Sequence, residues 1–320
     1  MDATSHRRRP QCRVHEMHHC GAKLQFWCIS CTLLLALSGC ASLRRHKIVP
    51  DSVATCRQLS REGVAAMERG QWDHARTLLE QAVEASPDDA DAQRQLAETL
   101  WQSGAAQAAA VHMETAVTLD PNHAPTLVRS GEMLTVLGAS DRALMRAEAA
   151  IALDGAQAGA WALRGRILRE RGDLGRALAD IQQALRYNPH GVDLLMDAAE
   201  MQYQLGRPQR CLSTLEHVLQ AGAPGEEPQR ALWLAGLAYG AVDRHDDAVA
   251  SLYAASVRGA PQPELLCQLA QSQSAAGRHA EAVATARQAL VADSGHVRSR
   301  ALLARLEAGG VPGVDAPLRR

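Results

Sequence analysis

The chain has 320 residues and a formal net charge of −1, with 34 lysines and arginines against 35 aspartates and glutamates. No stretch of it forms a basic stripe, which excludes the electrostatic footprint of a nucleic-acid binder. Aromatic residues make up only 3% of the sequence, a composition that suits helices packed through alanine.

Residues 1–39 read as a leader. Arg7, Arg8, Arg9, Arg13 and Lys23 precede a mostly apolar stretch from Leu24 to Leu37. That stretch is too short to span a bilayer comfortably and has the length of a signal-peptide core. It ends in Leu37-Ser38-Gly39-Cys40, four residues that resemble the lipobox of bacterial lipoproteins. The resemblance implies cleavage before Cys40, acylation of its thiol and, usually, of its new amino group. Several acyl chains together anchor a protein where one would bind only marginally. Ala41 and Ser42 follow, with no aspartate to suggest retention at the inner membrane. The implied address is therefore the outer membrane of a diderm bacterium, facing the periplasm. An uncleaved anchor, or a true start at Met17, are the alternatives. From Cys40 onward the chain holds 29 basic and 33 acidic residues, a formal charge of −4. Residues 40–55 leave room for a tether and for no further domain before the next pattern begins.

From Cys56 to His296 the sequence repeats about every thirty-four residues. The phase is set by Trp161, Arg164, Gly165 and Leu168, followed by Gly172, Ala177, Ile181, Ala184 and Pro189. One step back come Gly131, Gly138, Ala143 and Ala150, then Ala97, Leu100, Gly104, Ala109, Met113, Ala116 and Pro121. The first unit reads Gly63, Gly70, Trp72, Ala75, Leu79, Ala82 and Pro87. Forward come Ala199, Gly206, Cys211, Leu215 and Val218, the most degenerate unit. A short insertion around Gly222 to Pro228 shifts the phase by three before Gly236, Tyr239, Ala248, Leu252 and Ala255, and finally Ala270, Gly277, Ala282, Ala286 and Ala289. Two helices that cross closely need small side chains at the contact. Of the 21 positions where three such sites recur over seven units, 19 are Ala or Gly, and Cys211 and Val218 are the exceptions. Five glycines at thirty-four-residue spacing, Gly70 to Gly206, and Gly277 beyond the phase shift end the first helix of a unit, where a left-handed residue is wanted. Pro87, Pro121 and Pro189 stop the second helix.

This pattern resembles the tetratricopeptide repeat. Arg164 departs from its usual leucine, and Leu168 and Ile181 stand where aromatics are usual. The resemblance implies an all-α fold, a right-handed α-α superhelix of about seven helical hairpins over 56–296, in which each hairpin buries its apolar face only by stacking on its neighbours. Residues 297–308 read as one more amphipathic helix that caps the array through Leu302, Leu303 and Leu306, and 309–320 read as a loose tail.

Catalytic signals are weak. His15-Glu16-Met17-His18-His19 satisfies the H-E-x-x-H zinc pattern, but it lies in the leader with no third ligand. Nine histidines after Cys40 are scattered singly and read as solvated surface. Four of the eight cysteines leave with the leader, and no pair among the rest has the spacing of a disulfide framework or metal site. No nucleophile with a base is found. The chain is accordingly expected to be no enzyme and to need no cofactor, metal or small-molecule substrate.

In this family the first helices of successive units line a concave groove. Projected onto this chain, the groove carries Arg94, Glu98 and Trp101, then Glu132 and Thr135, then Arg166 and Arg169, then Met196, Glu200 and Tyr203, then Trp233 and Leu237. Trp101, Tyr203 and Trp233 are the leading candidates, because aromatics and arginines dominate interface energetics; packing against neighbouring repeats is the alternative. Trp72 and Trp161 occupy positions expected to lie in the core. The lysines and asparagines that clamp an acidic chain terminus in one branch of the family are missing from the projected sites. An extended peptide or a helix of a protein partner fits better. The reading is a lipid-tethered, non-catalytic interaction scaffold, an adaptor in a secretion, pilus or outer-membrane assembly. The alternatives are a self-associating structural lipoprotein and an accessory subunit that positions an envelope enzyme.

Overall fold

A computed structural model describes residues 51–220, 225, 227–260 and 262–309. The expected leader, the lipidation site at Cys40, the H-E-x-x-H motif and the tail from residue 310 lie outside the described residues.

Seven antiparallel hairpins follow one another. They are α1 (Asp51–Glu68) with α2 (Trp72–Ala85), α3 (Ala90–Gln102) with α4 (Ala106–Leu119), α5 (Ala124–Val136) with α6 (Ser140–Leu153), and α7 (Ala158–Glu170) with α8 (Leu174–Tyr187). The rest are α9 (Val192–Gln204) with α10 (Pro208–Gln220), α11 (Gln229–Gly240) with α12 (His245–Ser256), and α13 (Pro263–Ala275) with α14 (His279–Ala292). A last helix, α15 (Val297–Glu307), lies on the seventh hairpin and buries Leu302 and Leu306 there. The result is a helical solenoid with no strand among the described residues. Helix α1 starts at Asp51, so residues 51–55, grouped with the tether on sequence, form its first turn. An acidic side chain in that turn suits the positive end of the helix dipole.

The small residues do the packing. All 21 contact positions are buried, including Cys211 and Val218 in the degenerate unit. At Gly131 a Cβ would come within 2.5 Å of the Leu163 side chain, and at Gly236 within 2.5 Å of Leu252. Cys211 behaves as a packing residue: burial pushes its thiol up to about 12, far from the thiolate chemistry a reactive cysteine needs.

Within each hairpin the turn follows one recipe, with a single departure. Gly70, Gly104, Gly138, Gly172, Gly206 and Gly277 all adopt φ between 69° and 82°, a region open to glycine without steric cost. In the sixth unit the same position is Asp243, at φ 59°. The left-handed region costs an L-residue roughly 1–2 kcal/mol, less for Asp. Asp243→Gly is therefore expected to stabilise the chain by about 1 kcal/mol, read as a rise in thermal midpoint. A fall would show that the Asp243 side chain, whose carboxylate lies 4.0 Å from the His245 ring, contributes more than the strain costs.

Second helices end where the sequence places prolines: α2, α4 and α8 stop two residues before Pro87, Pro121 and Pro189. The helices α3, α5 and α15 begin on side-chain caps that satisfy otherwise orphaned N–H groups. Asp89 accepts from the Ala92 N–H at 2.9 Å, and the Nδ1 atoms of His123 and His296 accept from Thr126 and Ser299 at 3.3 and 3.4 Å. These two histidines, and His112, were expected on the solvated surface. His112 instead sits half-buried with Nδ1 2.8 Å from the Gln93 side chain, and burial lowers its pKa.

Two further expectations shift. Trp72 and Trp161 are half-buried at the hairpin edge and not in the core. Trp161 needs a partner for its indole N–H, which donates to the Gly155 carbonyl at 2.9 Å, and a fully apolar site would not provide one. The Arg164 guanidinium stacks 4.8 Å from the Trp161 ring and forms a forked pair with Asp180 at 2.7 and 2.8 Å. That pair fills the place of the missing leucine.

Candidate partner-binding face

First helices are the inner layer of the solenoid. Backbones of α1 and α3, α5 and α7, and α13 and α15 pack on each other, whereas those of successive second helices stand apart. One continuous face therefore runs across α3, α5, α7, α9, α11, α13 and α15.

That face is a ladder of charge and hydrogen bonds joining one unit to the next. Arg129 of α5 holds Glu98 of α3 through two bonds, at 2.7 and 2.8 Å, and reaches Glu132 at 3.0 Å. The Glu98 bond outweighs burial and keeps the guanidinium firmly protonated. Arg166 and Arg169 of α7 converge on Asp197 of α9 at 2.7 and 3.1 Å, and Arg169 and Arg230 both reach Glu200. Asp197 is buried, so the two arginines that neutralise it also satisfy its oxygens. Trp233 donates its indole N–H to Gln268, which donates to Glu264 at 2.8 Å, and Arg298 of α15 pairs with that same carboxylate. Near the N-terminal end, Arg94 bonds Asp91 at 2.6 Å and leans toward Thr126.

The projected groove residues fall into three groups. Arg94, Glu98, Glu132, Arg166, Arg169 and Glu200 lie on this face and are brought together in the ladder. Trp101, Tyr203, Trp233 and Leu237 are there too but half-buried. Trp101 lies along Leu96, Leu100 and Met113 under the Arg129 guanidinium, 5.6 Å from its ring, and Tyr203 lies against the Cys211 and Leu215 cluster. Met196 is a correction. It is 6% exposed and packs with Ala199, Cys211 and Leu234, because its register turns it toward the next first helix, so it has no surface for a partner.

Arg129, Asp197 and Arg230 are ladder members the projection missed. Their signal was opposite charge at thirty to thirty-one residues, about one helical turn short of the repeat period.

Between the N-terminal halves of α7 and α9 the face sinks into a hollow of about 240 Å³, closed on a third side by Glu132. Its floor is Ala158, Gly159, Ala162, Val192 and Leu194, and its rim carries Glu132, Arg166 and Asp193.

Two segments, 60–124 and 168–236, match sequence-family models described as tetratricopeptide repeat. Among solved structures, PilF of Pseudomonas aeruginosa superposes at a TM-score of 0.58 with 18% identity over 65% of this chain and 93% of its own. A tetratricopeptide repeat protein from Parabacteroides merdae gives 0.56 at 14% identity, covering 79% and 99%. YrrB, described as a TPR protein with an unusual peptide-binding site, gives 0.53 at 16%, covering 59% and 96%. No curated protein matches the sequence. The two matched segments are tetratricopeptide repeats, and the seven hairpins stack as one helical solenoid of the same fold.

Proposed function

We propose that this protein is a non-catalytic adaptor that holds a protein or peptide partner on its inner face while a lipid on Cys40 tethers it to the bacterial envelope. The observation that carries the first half is the inner face itself: a continuous, fixed array of guanidiniums, carboxylates and half-buried aromatics spanning six units. Such a surface offers directional contacts along an extended segment. Fixing the side chains beforehand lowers the entropic cost of binding. YrrB, of the same fold, carries a peptide-binding site. The tether rests on the apolar stretch ending in Leu37-Ser38-Gly39-Cys40, and the outer membrane is favoured by Ala41 and Ser42. The envelope assemblies named above remain the setting of choice, because a lipid at one end and an open binding face suit recruitment.

Crosslinked capture from envelope membranes tests this reading, comparing the native chain with a variant carrying Arg230→Glu and Leu237→Glu. Both residues lie on α11; Arg230 is mostly exposed and Leu237 half-buried, so the variant is used once its thermal midpoint matches that of the native chain. A partner held by the native chain and lost by the variant is expected. The same partners with both baits would move binding off the inner face, and a stable self-complex alone would favour the structural-lipoprotein alternative. Intact mass should show a chain beginning at acylated Cys40, and an unmodified chain beginning at Met1 would remove the tether.

A further inference from the structure

The hollow on the inner face has a cause in the sequence. At the two positions of α7 that face it stand Gly159 and Ala162, where α9 has Asp193 and Met196, α11 has Arg230 and Trp233, and α3 has Asp91 and Arg94. Losing two large side chains leaves a floor of methyl groups and backbone. The rim above it is not balanced in charge. Asp193 is exposed and has no hydrogen bond or ion pair among the described residues. Among the described residues Glu132 pairs with Arg129 through one oxygen, and Arg129 also holds both oxygens of Glu98. Arg166, the one cation among the described residues of the rim, is committed through Nε to the buried Asp197. Carboxylates therefore outnumber the guanidiniums free to serve them, and the excess sits at the mouth of an apolar hollow.

We propose that this hollow receives a lysine or arginine side chain of the partner. Long basic side chains are amphipathic, with an apolar stem and a charged tip. The stem would lie over Ala158, Ala162 and Val192, and the tip would reach Glu132 and Asp193. Glycine and alanine stand together at these two positions in the fourth unit alone, so the assignment concerns a single basic side chain of the partner. The proposal rests on the inner face being the binding face, and it adds to that reading the chemistry of one partner residue.

The test is a nuclear magnetic resonance titration of the chain with blocked pentapeptides, Gly-Ala-X-Ala-Gly, where X is arginine, lysine, norleucine or glutamate. The arginine or lysine peptide is expected to shift the amides of Gly159, Val192 and Asp193 saturably, and the two arms decide between guanidinium and ammonium. Norleucine, which keeps the stem without the charge, should bind at least about tenfold more weakly, a difference of about 1.4 kcal/mol. The double variant Glu132→Gln, Asp193→Asn should lose a similar factor without a change in thermal midpoint. Equal binding of norleucine or glutamate, shifts centred elsewhere, no shifts at all, or an unaffected double variant would each overturn the assignment. A partner captured through α11 but bound equally by the Glu132→Gln, Asp193→Asn chain would remove the hollow and leave the adaptor reading standing. Peptide binding at the hollow with no partner captured would do the reverse.

Discussion

Gly165→Leu should lower the thermal midpoint of this protein by about 6–10 °C, because it places a branched side chain where two helices already touch. A Cβ alone at Gly165 would lie 3.1 Å from the Ala177 carbonyl and 3.1 Å from two carbons of Ile181. Backbone cannot retreat as a flexible side chain can, so α7 and α8 must separate, at a cost of about 3 kcal/mol. Separation also removes Ala177, Ile181 and Ala184 from contact with the fourth unit's first helix, and the stack on either side loses a neighbour. Gly175→Ala, ten residues on in the first turn of α8, is the control. Nothing but the Asp173 carboxylate, at 3.9 Å, approaches that position, so the methyl group should be neutral or add about 0.5 kcal/mol through helix propensity. Calorimetry on the two variants checks the register directly. Equal midpoints would mean that the crossing point of the hairpin has been placed wrongly.

The same register explains what could be read from sequence and what could not. Ala and Gly at the crossing points recur because every unit solves the same steric problem, so Gly63 and Ala270 are legible from one another across two hundred residues. The left-handed glycines are legible for the same reason, and Asp243 escaped notice because it solves the problem with a different residue. Surface roles do not recur in this way. Met196 and Trp233 occupy one column of the repeat, yet the first is buried and the second half-open, since the larger neighbour decides which side chain is covered. The ladder was half legible: Glu98, Arg166 and Glu200, singled out on sequence, take part in it, whereas Arg129 and Asp197 lie one column over, where the eye expects core. The hollow was not legible at all, because it is made by what Gly159 and Ala162 lack, and an absence in one column gains meaning only beside its neighbours in space. His123 and His296 were missed as caps because the usual cap signal is Asp, Asn, Ser or Thr, although they stand where Asp89 does, one and six units further along.

Unit four carries its own compensation, and a double-mutant cycle should expose it. Arg164 stands where the family prefers leucine, while its equivalents in the adjoining units are Ser130 and Ala198. Asp180 stands where the adjoining units have Arg146 and Thr214. Two departures of opposite charge in one hairpin, sixteen residues apart, meet as the forked pair across α7 and α8. Asp180 is nearly inaccessible, with 9% of its side chain exposed, and Arg164 retains 26%. Removing the arginine strands a buried carboxylate, so Arg164→Leu alone should cost about 3 kcal/mol. Asp180→Ala leaves a guanidinium that can still stack on Trp161 and reach water, and should cost less, about 2 kcal/mol. Arg164→Leu with Asp180→Ala puts the usual leucine at the first position and an apolar residue opposite it, and hydrophobic replacement of a buried ion pair is often close to neutral. The double variant is therefore expected within about 1 kcal/mol of the native chain, a coupling of several kcal/mol between the two sites. Additive losses in denaturant unfolding would show that the pair is incidental. They would also show that Trp161 is held at the hairpin edge by its bond to Gly155 alone and not by the cation above its ring.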